Sequence, residues 1–451
     1  MRQRLHRRLQ ADAISLPASL LWSRGVPHPQ HRGLAGETRH GQRVQHQAGS
    51  RGEPAAEEEG PRAEGGTVRD HVPLHAKDVR QRALRPTQEK VRLRPVLATV
   101  GWGLYCTCSW TWCIAMYLPL ILQRHFGWTG VLIFALPNII GCAAFGYVLA
   151  SRRASGSLVK RHRTAMRLFS IAAVGYQAYF VSLLFANDAV LGYGVLAGAG
   201  LVGAGLLLSF LPVGFFPWFA VVVYAVSLAT LAHLGWIPDG GAVAGREQGL
   251  ALLWPVIAFG FVFCPYLDLT FHRALAESPS RHAFGLFGIA FAVMLVLTCA
   301  YRDRLWVVAF VPAVHIVTQC LFTIAAHLRE LRIRDRAEPR WPVIAAVLGG
   351  LVAAGAVLAV DPSESPVPGE AIYLRFLVFF GLLFPAYVLI FIGPGRTLAR
   401  SVRNHVVFAT AMLLAMPFYE LGFIGGRTWL LVFPIAGLLA WKIVVVRKRG
   451  V

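Results

Sequence analysis

The sequence predicts an all-α polytopic membrane protein of about twelve transmembrane helices, on three observations. First, 56% of the 451 residues are hydrophobic and only 15% are charged, too little polar surface for a water-soluble particle of this size. Second, from Val96 onward apolar stretches of about 18–27 residues recur between short polar breaks. A bilayer core needs roughly 20 helical residues per crossing. Third, the formal charge of +21 is distributed unevenly along the chain, in a pattern that follows the alternation of the stretches.

The chain divides near residue 95. Residues 1–95 carry 18 basic residues against 10 acidic ones, and the remainder carries 26 against 13. The first segment has no Phe, Tyr, Asn or Cys and a single Ile, Ile14. It cannot bury enough apolar surface to offset the entropy of ordering, so a disordered basic segment is expected, or a start placed too far upstream. Its arginines alone would suit nucleic acid. The run Glu57-Glu58-Glu59 argues against that partner, and none is expected. Met1 to Gln10 is almost entirely polar, unlike a signal peptide.

Residues 96–451 form the predicted transmembrane domain. Its spans are 97–123, 129–150, 168–187, 189–211, 214–235, 249–273, 283–300, 305–326, 342–360, 372–393, 404–423 and 428–446. With both termini in the cytoplasm, 20 of the 26 basic residues fall on the inner side, as the positive-inside rule requires. A bacterial cytoplasmic membrane is the expected location. The seven cysteines all lie inside apolar runs, so reduced packing thiols are expected rather than disulfides.

An internal repeat links the first and sixth spans. Tyr117-Leu118-Pro119-Leu120 ends four residues later at Arg124, and Tyr266-Leu267-Asp268-Leu269 ends likewise at Arg273. The copies lie five helices apart, an odd number, and so cross the membrane in opposite senses. That is the trace of an inverted-topology repeat, whose sites lie near the midplane on interrupted helices. The repeats would occupy about 97–235 and 249–393, leaving the helices in 404–446 as additions.

The candidate site follows from this. In the sixth span, Pro265 removes a backbone donor and clashes with the carbonyl of Phe261, and Gly260 eases unwinding. Cys264 completes that stretch. At matching depth the first span has Ser109, Trp110, Thr111 and Trp112. The hydroxyls re-satisfy loosened backbone groups, and tryptophan at mid-depth lines a cavity or stacks on a ligand. Tyr176, Gln177, His315 and Gln319 are further mid-depth polar groups for solute binding. Asp268 is the most costly residue of the domain, at about 2.5 kcal/mol or more on insertion scales. His272 lies one turn on, and the pair is a candidate proton relay or cation gate. Thr318 and Thr323 are hard-oxygen candidates for sodium. No metal, phosphate-loop or dinucleotide motif is present, and no cofactor is expected beyond a coupling sodium ion or proton.

On Trp110-Thr111-Trp112, Phe134-Ala135-Leu136-Pro137-Asn138 and Cys264-Pro265-Tyr266-Leu267-Asp268, the chain resembles secondary transporters of the five-plus-five inverted-repeat class. These are the sodium:solute symporters and the wider amino acid–polyamine–organocation superfamily, whose fold is often named for the leucine transporter. The resemblance implies a cation-coupled, non-enzymatic symporter of a small polar solute, working by alternating access around helices one and six. The family's paired Ser or Thr sodium ligands on the eighth helix are not matched, because Gln319 follows Thr318; Asp268 and His272 then favour protons. The alternative from another class is an integral membrane enzyme acting on lipid-linked substrates, which would need carboxylates or histidines grouped on a long surface loop. A haem or quinone protein using His272, His315 and His405 is the third reading.

Overall fold

The computed structural model of the protein describes residues 94–186, 191–234, 249–300, 310–333, 340–361, 368–392 and 398–447. The reading of residues 1–95 lies almost wholly outside the described residues. So do the loop charges Asp188, Asp239, Arg246, Arg302, Arg304, Arg334, Arg336, Glu364, Arg396, Lys448 and Arg449.

Among the described residues there are helices, turns and loops and no strand. Six helices are long and apolar enough to cross a membrane, and four more are apolar but shorter. The chain is an all-α polytopic membrane protein. In order, the helices are α1 (94–110), α2 (Cys113–Val148), α3 (Arg152–Ala186), α4 (Leu191–Leu208), α5 (Phe215–Leu234) and α6 (Leu250–Phe263). There follow α7 (Leu269–Glu277), α8 (Ala283–Ala300), α9 (Phe310–Arg332), α10 (Trp341–Gly355), α11 (Glu370–Val378), α12 (Phe384–Phe391), α13 (Val402–Tyr419) and α14 (Val432–Arg447).

Among the described residues the predicted spans fall mainly on helix, and the differences have physical causes. The first span is not one helix: α1 stops at residue 110, and α2 starts at Cys113. The predicted turn between the first two spans is a kink at Gly127, with φ 61° and ψ −155°, a backbone state that glycine adopts without a Cβ penalty. The sixth span is divided into α6, a 3₁₀ turn over Cys264–Leu267 and α7. The third span is longer than its apolar stretch. α3 has 35 residues and bends at His162, with φ −114° and ψ 22°, so its basic first half, up to that kink, is a helical segment separate in direction from the apolar stretch. That half is polar but rich in good helix formers, and the hydropathy pattern alone placed a loop there. α11 and α12 are joined by a π-helical turn, Phe379–Leu383.

The helices pack in two sets. The third, fourth, eighth and ninth spans (α3, α4, α9 and α10) all touch one another. The second span packs on the sixth and the seventh, and the first joins this set through Gly103, where a Cβ would stand 2.9 Å from the Ala283 carbonyl. Close approach within the first set rests on small residues: a Cβ at Gly198 would meet Ser182 Oγ at 2.0 Å and the Ala178 carbonyl at 2.8 Å. The Gly194/Gly198 pair is therefore a packing feature, as small-x-x-x-small spacing implies.

Candidate functional site

The two helix breaks lie against each other near the centre of the bundle. Thr270 Oγ1, at the start of α7, stands 3.0 Å from Ser109 Oγ in the last turn of α1. A small cavity, with room for about one water molecule, is lined by Trp110, Trp112, Ile114 and Ala115 from the first break, Phe261 and Cys264 from the second, Asn138 from α2 and Phe380 from the π-helical turn. No charged side chain lines it.

A helix that stops inside a membrane must find donors for its last carbonyls. At the end of α1 the accounting closes. The Cys106 carbonyl accepts from Ser109 Oγ at 3.1 Å. The Thr107 carbonyl accepts from the backbone N–H and the hydroxyl of Thr111, both at 2.8 Å. The Cys108 carbonyl accepts from Thr323 Oγ1 on α9 at 3.1 Å. The Ser109 carbonyl accepts from Trp112 Nε1, and that of Trp110 from the Trp112 N–H at 2.8 Å. Across the gap, the first amide of α2, at Cys113, donates to Gln177 Oε1 at 3.2 Å.

The second break is built differently. Pro265 sits in the 3₁₀ turn, and the carbonyl of Phe261 receives the Cys142 thiol at 3.6 Å. Asp268, with φ −80° and ψ 111°, is the N-cap of α7; its Oδ1 accepts the Thr270 N–H and hydroxyl, each at 2.7 Å. A capping carboxylate at a helix start is stabilised by the unpaired N–H groups there. Asp268 is fully buried, and its Oδ2 has no hydrogen-bond partner among the described residues.

The remaining predicted residues separate into those at the breaks and those elsewhere. Phe380 unites several of them: its carbonyl accepts from Cys264 Sγ at 3.1 Å and would lie 2.9 Å from a Cβ at Gly260. Its ring packs edge-on against Trp112 and stacks with Tyr176. The Tyr176 hydroxyl donates to the Tyr373 carbonyl at 2.9 Å. Gln177 also accepts from Cys320 Sγ at 3.1 Å, and its Nε2 is unpartnered among the described residues. His315 and Gln319 are drawn away from the cavity, both to Ser227 Oγ on α5, at 2.8 and 2.9 Å. Thr318 bonds within its own helix, to the carbonyls of Val314 and His315. Of the two threonines, it is Thr323 that bonds to the first break, at the Cys108 carbonyl.

Asp268 and His272 are not joined to each other by a hydrogen bond. His272 Nε2 stands 3.1 Å from the Tyr266 carbonyl, and so carries the proton, while Nδ1 accepts from Ser155 Oγ at 2.7 Å. All seven cysteines are buried and none is in a disulfide. Cys142 and Cys264 meet carbonyls at the breaks, which goes beyond packing.

Two ion pairs bracket the site. Glu370, at the start of α11, accepts from Arg124 Nη2 at 2.7 and 2.8 Å and from the Tyr117 hydroxyl. Glu330, near the end of α9, accepts from Arg273 on α7 and from Arg329, the closest contacts at 3.0 and 2.8 Å. Both carboxylates are buried. Sequence reasoning placed Glu370 in a loop and passed over Glu330, Phe380 and Thr270. The two glutamates take their meaning from the repeat's arginines, Arg124 and Arg273, which the fold brings to them from 246 and 57 positions away. Phe380 carried no readable signal, being one phenylalanine among 28.

Residues 13–213 match the sequence profile of the Major Facilitator Superfamily. The matched stretch begins in the basic N-terminal segment and ends after the fourth predicted span. No curated protein and no solved structure matches the chain. The match supports a secondary transporter, and with the apolar helices an integral membrane protein.

Proposed function

We propose that the protein is a cation-coupled secondary transporter of a small polar solute, working by alternating access around the broken first and sixth helices of a five-plus-five inverted repeat. The observation that carries this reading is the opposition of the two breaks across one cavity. Non-helical backbone at membrane depth is tolerated where it lines a cavity or is buried in protein, and transporter sites use such ends.

The packing supports the five-helix period. Moving each member of the third, fourth, eighth and ninth set by five spans returns the same set, and so does moving the first, second, sixth and seventh. A period of six, that of two parallel six-helix halves such as those of the Major Facilitator Superfamily, would pair the second span with the eighth, across the two sets. Twelve spans, with both termini on the cytoplasmic side of a bacterial membrane, complete the reading. The half-buried pairs Arg124–Glu370 and Arg273–Glu330 then lie toward opposite faces, where they would have to part as access alternates.

Two coupling chemistries are available. Thr323 Oγ1 beside the Cys108 carbonyl supplies hard oxygens for sodium, and the buried Asp268 carboxylate supplies a proton acceptor. Purified protein is screened by thermal shift against solutes, with and without sodium, at two pH values; a ligand raises the melting temperature by mass action. The stabilising solute is then offered to proteoliposomes under a sodium or a proton gradient. Gradient-driven accumulation supports the reading, and absence of accumulation under both overturns it. Thr323→Val should abolish sodium dependence if sodium couples and leave a proton-driven rate intact.

A further inference from the structure

The cavity between the breaks is lined by one side-chain amide, Asn138, and its hydrogen bonds show which of its ends is already engaged. Trp110 Nε1 lies 2.8 Å from Asn138 Oδ1. An indole N–H is a donor only, so the atom it meets must be the amide oxygen, and the usual ambiguity between O and N does not arise. Cys142 Sγ approaches the same oxygen at 3.4 Å. The acceptor end is thereby occupied from within the protein. The Nδ2 group has no protein acceptor among the described residues, although Asn138 is 1% exposed and lines the cavity. Two amide protons are presented to the cavity by a side chain that cannot turn over.

Nothing else in the lining competes with that polarity. Trp112 Nε1 is spent on the Ser109 carbonyl and the Cys264 thiol on the Phe380 carbonyl. The walls are otherwise the rings of Trp110, Trp112, Phe261 and Phe380 with Ile114 and Ala115. A buried donor left unpaired is costly, whereas one met by an acceptor is not.

We propose that Asn138 is the specificity-determining contact of the site, and that the solute, admitted as the two breaks part to widen this water-sized cavity, is small, with a flat or branched apolar body and a hydrogen-bond acceptor, a carboxylate or carbonyl, held by Nδ2. This deepens the transport reading and rests on it for the site's purpose, but its test is a binding test. The probes are two matched sets: phenylacetate, phenylacetamide and phenethylamine, and isovalerate, isovaleramide and isoamylamine. Binding is measured by calorimetry and thermal shift on full-length protein in nanodiscs.

In each set the acid and amide should bind at least about tenfold more tightly than the amine, the discrimination expected when a buried donor is paired or left empty. Asn138→Asp keeps an acceptor for Trp110 but turns the cavity end into an acceptor, and should reverse the order. Trp110→Phe keeps the asparagine and frees it to turn, so the preference should shrink toward equality in protein that remains monodisperse. An amine bound as tightly as its acid, an order unchanged in Asn138→Asp, or no acid or amide binding at millimolar concentration overturns the proposal. Binding in this order without uptake into proteoliposomes would leave Asn138's role standing and sink transport. Uptake indifferent to the Asn138 variants would do the reverse.

Discussion

The two helix breaks reach the same end by different means. At the first, no proline intervenes, and five carbonyls are satisfied one by one: four by groups two to four residues on, and that of Cys108 by Thr323 from another helix. At the second, Pro265 removes a backbone donor, a short 3₁₀ turn takes up the slack, and Asp268 restarts the helix as a cap. The first break is distributed over several hydrogen bonds. The second is concentrated in two residues. A distributed break should tolerate single substitutions, and a concentrated one should not.

The largest effect is expected at Asp268. Asparagine caps a helix about as well as aspartate, so Asp268→Asn should preserve the α7 start and the folded yield while removing the charge. If the carboxylate couples the cation, gradient-driven uptake should fall by at least about tenfold, a rise of about 1.4 kcal/mol in the barrier. Uptake at the wild-type rate would sink the coupling role and leave Asp268 as a cap only. Asp268→Ala separates the two functions from the other side. It should add a stability loss of about 1 kcal/mol, the typical value of an N-cap, visible as a lower melting temperature.

Next comes Pro265. Alanine restores the missing N–H and favours continuous helix over proline by about 3 kcal/mol in a helix interior. Pro265→Ala should therefore raise thermal stability and slow uptake by a few-fold, about 1 kcal/mol in the barrier, because the 3₁₀ turn would tend to anneal. A variant transporting at full speed would place the cause of the break in Asp268 and the tertiary contacts.

This contrast explains what was legible in the sequence. The sixth-span break was readable because Pro265 acts through its own covalent structure, and Asp268 because a buried carboxylate is costly wherever it lies. The first-span break was readable only by analogy of depth, since hydroxyls bonding to carbonyls three or four residues back occur in unbroken helices too. His315, Gln319 and Thr318 were candidates by depth alone. Depth does not say which way a helix is turned, and α9 turns the first two toward Ser227 and Thr323 toward the break. Asn138 was noted within a motif but not as a site residue, because its meaning depends on Trp110, 28 positions away. Helix existence follows from hydropathy; helix rotation follows from packing, which no single stretch encodes.

The smallest effect is expected at Thr111, and it tests the distributed half of the comparison. Its hydroxyl and its own N–H share the Thr107 carbonyl, both at 2.8 Å. Thr111→Val removes the hydroxyl, keeps the β-branched shape, and leaves that carbonyl still met by the N–H. No acceptor is orphaned, so the loss should be near the 0.6 kcal/mol average of hydrogen bonds inside membranes, about that or less, with uptake changed by less than about threefold. A collapse of uptake on this substitution, in protein that melts normally, would show the hydroxyl to be needed at the site itself and the first break to be as concentrated as the second.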